Sequence, residues 1–173
     1  MKIINWELMK SCIEGDTSVM LENKVEKLME ESGELAQAHL ALIGSPNTSA
    51  SVGNAEEEYM QECCDVLNVA IDIAYNVSMD IGQLQDILEN LDIDLERERI
   101  EIYSVLEVGA WTGAVIDEFL SGNLQRNWSF SLLNLMKGLF AMLSATNFTE
   151  EEIYAMFDKK LGKWKAKQLV YNI

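Results

Sequence analysis

Apolar residues recur along much of this chain at the three- and four-residue spacings of an amphipathic helix. Val25, Leu28, Met29, Leu35, Ala36, Leu40 and Ile43 form the first long run, and Gly44-Ser45-Pro46 stops it. The stretch 47–54 (NTSASVGN) is polar and turn-rich and reads as the clearest loop. A second long helix is expected from about Ala55 to Val77 and a short one from Ile81 to Leu91. Others are expected over Leu95 to Leu120, Ser129 to Ser144 and Thr149 to Leu169. Thr149 with Glu152 three residues on fits a capping box, and Asn147 is an alternative cap. Strand patterns are weak throughout. The expected fold is therefore all-α, a bundle of antiparallel helices in a single domain over 1–173. A helix pair over 19–80 and a second helical half over 95–169 would build it.

A faint internal repeat overlies this pattern. Laying Glu31 on Glu107 brings Gly33 onto Gly109 and Ala38 onto Ala114, while Glu34 meets Ala110. A similar offset places Leu67 on Leu139, but sets Asn134 against Glu62 and Lys137 against Asp65. Coincidence between amphipathic helices accounts for so few identities equally well. A true repeat would make the chain a pseudo-dimer that kept its carboxylates in one half only.

Composition narrows the function. Of 173 residues, 49% are hydrophobic, enough for a sizeable core. Asp and Glu number 29 against 13 Lys and Arg, a formal charge of −16 that repels nucleic acid and anionic lipid. The longest apolar stretch, Ser131 to Ala145, contains Asn134 and Lys137 and is too short to span a bilayer. Charges at Lys2, Glu7 and Lys10 argue against an N-terminal signal. Cys12, Cys63 and Cys64 are odd in number, with two adjacent, and make a poor disulfide framework. These features point to a cytoplasmic protein with reduced thiols and no nucleic-acid or membrane partner.

The chemistry concentrates in two carboxylate pairs. Glu31 and Glu34 stand three residues apart on the first long helix, and Glu62 and Asp65 do the same on the second. Positions 62, 65, 69, 72 and 76 form a stripe of Glu, Asp, Val, Asp and Asn, flanked by Val66, Leu67, Ala70, Ile71 and Ile73. Apolar flanks on both sides are unusual for a solvated face. An antiparallel hairpin would bring the four acids into one cleft. Each like-charge contact at about 4 Å then costs about 4 kcal/mol at an effective dielectric of about 20, so protonation or a divalent cation must offset it. An all-oxygen set suits Mg²⁺ or Mn²⁺. His39 is the only histidine, which excludes a multi-histidine zinc site and a di-iron bundle built on Glu-x-x-His pairs. Cys63 and Cys64 read as packing residues turned away from the acids.

Glu30-Glu31-x-x-Glu34, 27 intervening residues, then Glu62-x-x-Asp65 resembles the signature of the all-α NTP pyrophosphohydrolases. That superfamily includes the MazG proteins, the phosphoribosyl-ATP pyrophosphohydrolases and the dimeric dUTPases. The likeness covers Lys27 to about Asn76, under a third of the chain, with a gap near the long end for the family. It implies a four-helix MazG-like core and cleavage of a nucleoside triphosphate to monophosphate and pyrophosphate. It also implies Mg²⁺ held by Glu31, Glu34, Glu62 and Asp65. By family analogy Glu31 accepts the proton of the attacking water, the other three serve mainly as ligands, and Glu30 either caps, orients or ligates. A homodimer is expected, and nine methionines on amphipathic helices leave apolar surface for one to cover.

Substrate contacts are less specific. Lys27, one turn before Glu31, reaches either the phosphates or Glu31 itself. Lys159, Lys160, Lys163, Lys165 and Lys167 crowd nine positions of an acidic chain. In the dimeric dUTPases a Lys, an Asn four later and an Arg-Gln pair three beyond lie near the C-terminus. Lys160, Trp164 and Lys167-Gln168 occupy that spacing, with Trp164 for Asn a clear departure. Lys160 and Lys167 are thus candidates for phosphate, against the plainer reading of a lysine-rich helix end suited to its dipole. Asn68 could meet a base edge and Asp72 a ribose hydroxyl or a water; both could equally cap local backbone or pair within the bundle. The Gln-x-x-Leu-Asp motif usual near the N-terminus of the dimeric dUTPases is missing between Met1 and Asp16. Trp6 reads as a base-stacking or core residue, Trp111 and Trp128 as core or interface. The rival from another class is a non-catalytic acidic interaction module with a structural metal site.

Overall fold

The computed structural model describes residues 2–16, 19–45, 55–77, 79–91, 103–123 and 130–171. Among them run seven α-helices and no strands: α1 Trp6–Glu14, α2 Leu21–Leu42, α3 Ala55–Asn76, α4 Ile81–Glu89, α5 Tyr103–Leu120, α6 Phe130–Ser144 and α7 Glu150–Tyr171. The all-α expectation holds, with helix ends within two residues of those expected wherever they are described. The loop expected over 47–54, the start of the helix expected from Leu95, and Trp128 lie outside the described residues. No described helix is long and apolar enough to cross a membrane.

Local chemistry explains the helix ends. Asn5 caps α1 by accepting from the Leu8 amide at 3.1 Å, and Asp80 caps α4 through the Gln83 amide at 2.9 Å. The capping box forms at α7: Thr149 Oγ1 accepts from the Glu152 amide, and the Glu152 carboxylate accepts from the Thr149 amide. Asn147 does not cap; its side chain and amide both donate to Glu56. Gly44 ends α2 at φ +70°, with Ser45 and Gly44 amides returning to the carbonyls of Leu40 and Ala41. Gly122 closes α5 in the same way, at φ +72°. Both are left-handed caps that a Cβ would strain.

α2 and α3 pack as an antiparallel pair, marked by three rungs. His39 lies against Tyr59 with ring centroids 5.9 Å apart, Glu31 meets Glu62 and Asp65, and Lys24 meets Asp72. α5 and α6 form a second pair, with α5 on α2 and α6 on α3. Four helices thereby close a bundle within one chain. α7 runs parallel to α3 on its outer side, tied by Asn147 to Glu56 and Lys160 to Asp65. α1 runs parallel to α7, tied by Asn5 to Asp158 and Lys165 to the Ser11 carbonyl, both at 2.8 Å. One hydrophobic cluster takes in side chains from all seven helices.

The apolar run of α2 divides between two faces. Val25, Leu28 and Leu35 are buried, but Met29 and Ile43 are each 60% exposed. The spacing of seven apolar positions is too broad for one contact stripe, so part of it faces outward. Gly33 on α2 and Gly109 and Gly113 on α5 are exposed helix-interior glycines, and a Cβ at any of them would meet nothing within 4 Å. Each costs about 1 kcal/mol of helix stability relative to alanine without serving a contact among the described residues.

A buried ion pair fastens the open end of the α2–α3 pair. Lys24 Nζ donates to both Asp72 oxygens at 2.8 and 2.7 Å, with side-chain exposures of 3% and 6%. Asp16 stands 3.7 Å from the same ammonium, and Asn76 donates to Asp72 at 3.0 Å. Removing one partner strands the other charge away from water. Lys24→Met is therefore expected to destabilise the protein by about 3–5 kcal/mol in urea denaturation, and Lys24→Met/Asp72→Leu to recover most of that loss.

Candidate metal centre between α2 and α3

The apolar neighbours of each acid carry it into the helix interface. Glu31 falls between Leu28 and Leu35 on one face of α2, both fully buried, and is itself only 7% exposed. On α3, Cys63, Cys64, Val66 and Leu67 are fully buried and turn the stripe of Glu62 and Asp65 towards α2 and α7. Both cysteines pack in the core, as their positions beside the acids suggested.

Glu31, Glu62 and Asp65 each offer a carboxylate oxygen within 4.8 Å of the other two. These are three of the four acids singled out by spacing. Glu34 is exposed at the rim, one turn beyond Glu31. Its pKa is raised, first by the burial it has and then by the Glu31 charge and a hydrogen bond between the two carboxyls.

Two lysines neutralise part of this cluster. Lys27 Nζ lies 2.8 Å from Glu31 and 2.9 Å from Glu30. Burial alone would lower Lys27, but its hydrogen bonds to those two acids overcome that and raise its pKa. Lys160 reaches across from α7 and donates to Asp65. Burial raises the Asp65 pKa, opposed by that ammonium. Glu62 has no such partner. Its Oε2 is buried with no hydrogen-bond partner among the described residues, and burial, with Asp65 beside it, pushes its pKa up to about 7.

The donor set fits a hard divalent cation. Oxygens bound to one Mg²⁺ at about 2.1 Å stand about 3.0 to 4.2 Å apart, so a trio within 4.8 Å needs only a small closure. The buried Glu62 oxygen, without a partner among the described residues, is the natural first ligand, and an ion would offset the burial and the neighbouring Asp65 charge that raise its pKa.

The remaining candidates are dispersed. Asp72 is held by Lys24 inside the helix pair, two turns from Asp65, and burial raises its pKa against that ammonium. Asn68, one turn from Asp65, is 8% exposed with a buried Oδ1 lacking a partner among the described residues. Lys167 is exposed two turns beyond Lys160. Gln168 beside it donates to the Cys12 carbonyl, and Trp164 packs against the core. Trp6 is 9% exposed and belongs to the core, while Trp111 is half-buried, edge-on to Phe130. A shallow groove of about 280 Å³ between α3 and α7, over Met60, Phe148 and Met156, contains none of the trio.

Lys24 escaped the sequence reading although a signal was present. It lies four residues before Leu28 and seven before Glu31, on the buried face of α2. No known protein family, curated protein or solved structure matches the chain.

Two outcomes are expected. The folded pKa of Glu62 lies above its usual 4.5, so its stabilising contribution is complete below about pH 4.5 and is lost as pH rises through about 7. The raised pKa values of Asp65 and Asp72 act in the same direction. Thermal melts in EDTA should therefore show stability falling over that window, with a shallower fall for Glu62→Gln; an unchanged slope would remove Glu62 as its source. Second, a cation must compete with the Lys160 ammonium for Asp65. Lys160→Met is expected to tighten Mn²⁺ or Mg²⁺ binding in calorimetry by about tenfold or more, the effect of about 1.4 kcal/mol of lost repulsion.

Proposed function

We propose that this protein is a Mg²⁺-dependent nucleoside triphosphate pyrophosphohydrolase, with Mn²⁺ an acceptable substitute, that releases monophosphate and pyrophosphate. One observation carries the reading. Three carboxylates from two antiparallel helices converge within 4.8 Å, one with a buried unpaired oxygen, at the positions where the sequence resembles the pyrophosphohydrolase signature. A solvated acidic face has no reason to gather its charges inside a helix interface.

In this reading Glu31, Glu62 and Asp65 hold the ion, and Glu34 joins from the rim. When bound, the ion would neutralise phosphate oxygens and lower the pKa of a water. Lys27 and Lys160, already at the trio, exchange their carboxylate partners for phosphate oxygens as the substrate enters. The water oxygen bonds to phosphorus at the α–β bridge, the bridging P–O bond breaks, and one proton passes to a carboxylate. Family likeness gives that role to Glu31; the free oxygen of Glu62 makes it the second candidate. Asn68 is the nearest amide for a base or sugar contact. The buried, unpaired thiols Cys12, Cys63 and Cys64 suit a cytoplasmic enzyme that cleans or balances a nucleotide pool, dUTP among its candidate substrates.

A second reading is favoured by the lysine pairs. With Lys27 on Glu31 and Lys160 on Asp65, the cluster is already partly neutral, as a non-catalytic module with a structural ion or none would need. Chromatography of products from the common ribo- and deoxyribonucleoside triphosphates and dUTP, with Mg²⁺ and with EDTA, separates the two. Monophosphate and pyrophosphate are expected from one or a few nucleotides. Glu62→Gln and Asp65→Asn should abolish turnover while leaving the helical fold intact. Turnover that survives both substitutions, or none in the parent with Mg²⁺ and Mn²⁺, would leave the non-catalytic module standing.

A further inference from the structure

The shallow groove between α3 and α7 lies beside the carboxylate trio. Met60 forms its floor at 2% exposure, Phe148, Ala155 and Met156 its walls, and Glu57 and Lys159 its rim. Helix spacing sets where it leads. Glu57, Gln61 and Asp65 succeed one another at four-residue steps on α3, and Met156 and Lys160 do so on α7. The two helices run parallel, so the groove leads along both of them towards the bond between Lys160 and Asp65. Met60 and Asp65 are five residues apart, about 7.5 Å along the helix axis. Between them Gln61 donates to Glu57 at 3.3 Å, which sets an amide and a carboxylate between the apolar end and the charged end.

We infer that this groove is the base subsite of the nucleotide, with the phosphates lying at Lys160 and the trio. The inference rests on the pyrophosphohydrolase reading and adds to it the place where the base is held. Polarity selects the occupant. A nucleotide joins a flat, uncharged ring to an anion, and this cleft is apolar at one end and carries an ammonium at the other. The step of about 7.5 Å from Met60 to Asp65 suits the separation between a base and the α-phosphate of its own nucleotide. Size agrees, since about 280 Å³ is close to the ~300 Å³ lower end of small-molecule clefts. So does the lining: the thioethers of Met60 and Met156 and the ring of Phe148 can pack on the face of a base. Glu57 and Gln61 offer an acceptor and a donor to its edge. An apolar partner helix would need an unbroken face several turns long, and Glu57 and Lys159 interrupt this one.

Methyl NMR of the full chain with ¹³C-labelled methionines tests it, using the α,β-methylene triphosphates of the common bases and inorganic tripolyphosphate as probes, all in Mg²⁺. A nucleotide analogue is expected to shift the Met60 and Met156 methyls and to leave Met20 and Met29 in place, which are 67% and 60% exposed elsewhere. Tripolyphosphate should leave all four unmoved. Ala155→Trp, an exposed helix position on the groove wall, should fill the groove and weaken analogue binding by about tenfold or more, as for the loss of one stacking contact. Tripolyphosphate affinity should be retained in that variant. An analogue that binds without moving Met60 and Met156, or an Ala155→Trp variant that binds nucleotide as the parent does or loses both probes equally, would overturn the groove while leaving the pyrophosphohydrolase reading intact. Methyl shifts of the expected kind in a protein that turns over no triphosphate would support the groove and sink the catalysis alone. A parent that binds no analogue overturns both.

Discussion

Three carboxylates crowded between two helices are the constraint around which this structure is arranged. Bare, they would repel one another by several kcal/mol, comparable to the whole net stability of a domain. The fold meets that cost by different means at each acid. Lys27 neutralises Glu31 from one turn away on the same helix, Lys160 neutralises Asp65 from a helix distant in sequence, and at Glu62 burial and the Asp65 charge push the pKa up to about 7. The last of these is the weak point, because the buried Glu62 oxygen has no hydrogen-bond donor among the described residues. A divalent cation would satisfy all three acids at once.

This arrangement makes α7 part of the centre. Its ammonium at position 160 is 95 residues from Asp65 in sequence, yet the two are bonded. α7 holds its own place through Phe157 and Leu161 in the core and through Lys165 and Gln168 on the last carbonyls of α1. An ion that displaces Lys160 from Asp65 therefore releases one tether of α7 while leaving the others. In the proposed reading the lysine so freed would meet an anionic substrate, tying metal binding to phosphate binding through a single side chain.

The opposite side of the bundle follows another logic. Lys24 and Asp72 close the α2–α3 pair with a buried bond that satisfies both charges, so Asp72 belongs to the scaffold of the site. The outer stripes of α2 and α5 keep apolar residues and glycines in water, where helix propensity and solubility both argue against them.

Local patterns were enough for the secondary structure and for the chemical character of the site. Three- and four-residue periodicity placed the helices, Thr149 with Glu152 marked the start of α7, and Gly44 the end of α2. Apolar flanks on both sides of Glu62 and Asp65 showed that these acids face inward. All of this depends on neighbours within a turn or two, which a sequence displays directly. What periodicity does not carry is which element lies opposite each face. Only the tertiary structure decided that Lys160 closes on Asp65, that Lys24 and not solvent meets Asp72, and that Met29 and Ile43 face outward while Leu28 and Leu35 face inward. It also left Glu34 at the rim, because a helix face is wider than the contact made on it. Each of those outcomes is set by the order in which α5, α6 and α7 pack around the α2–α3 pair, a competition between whole helix faces that no single spacing records.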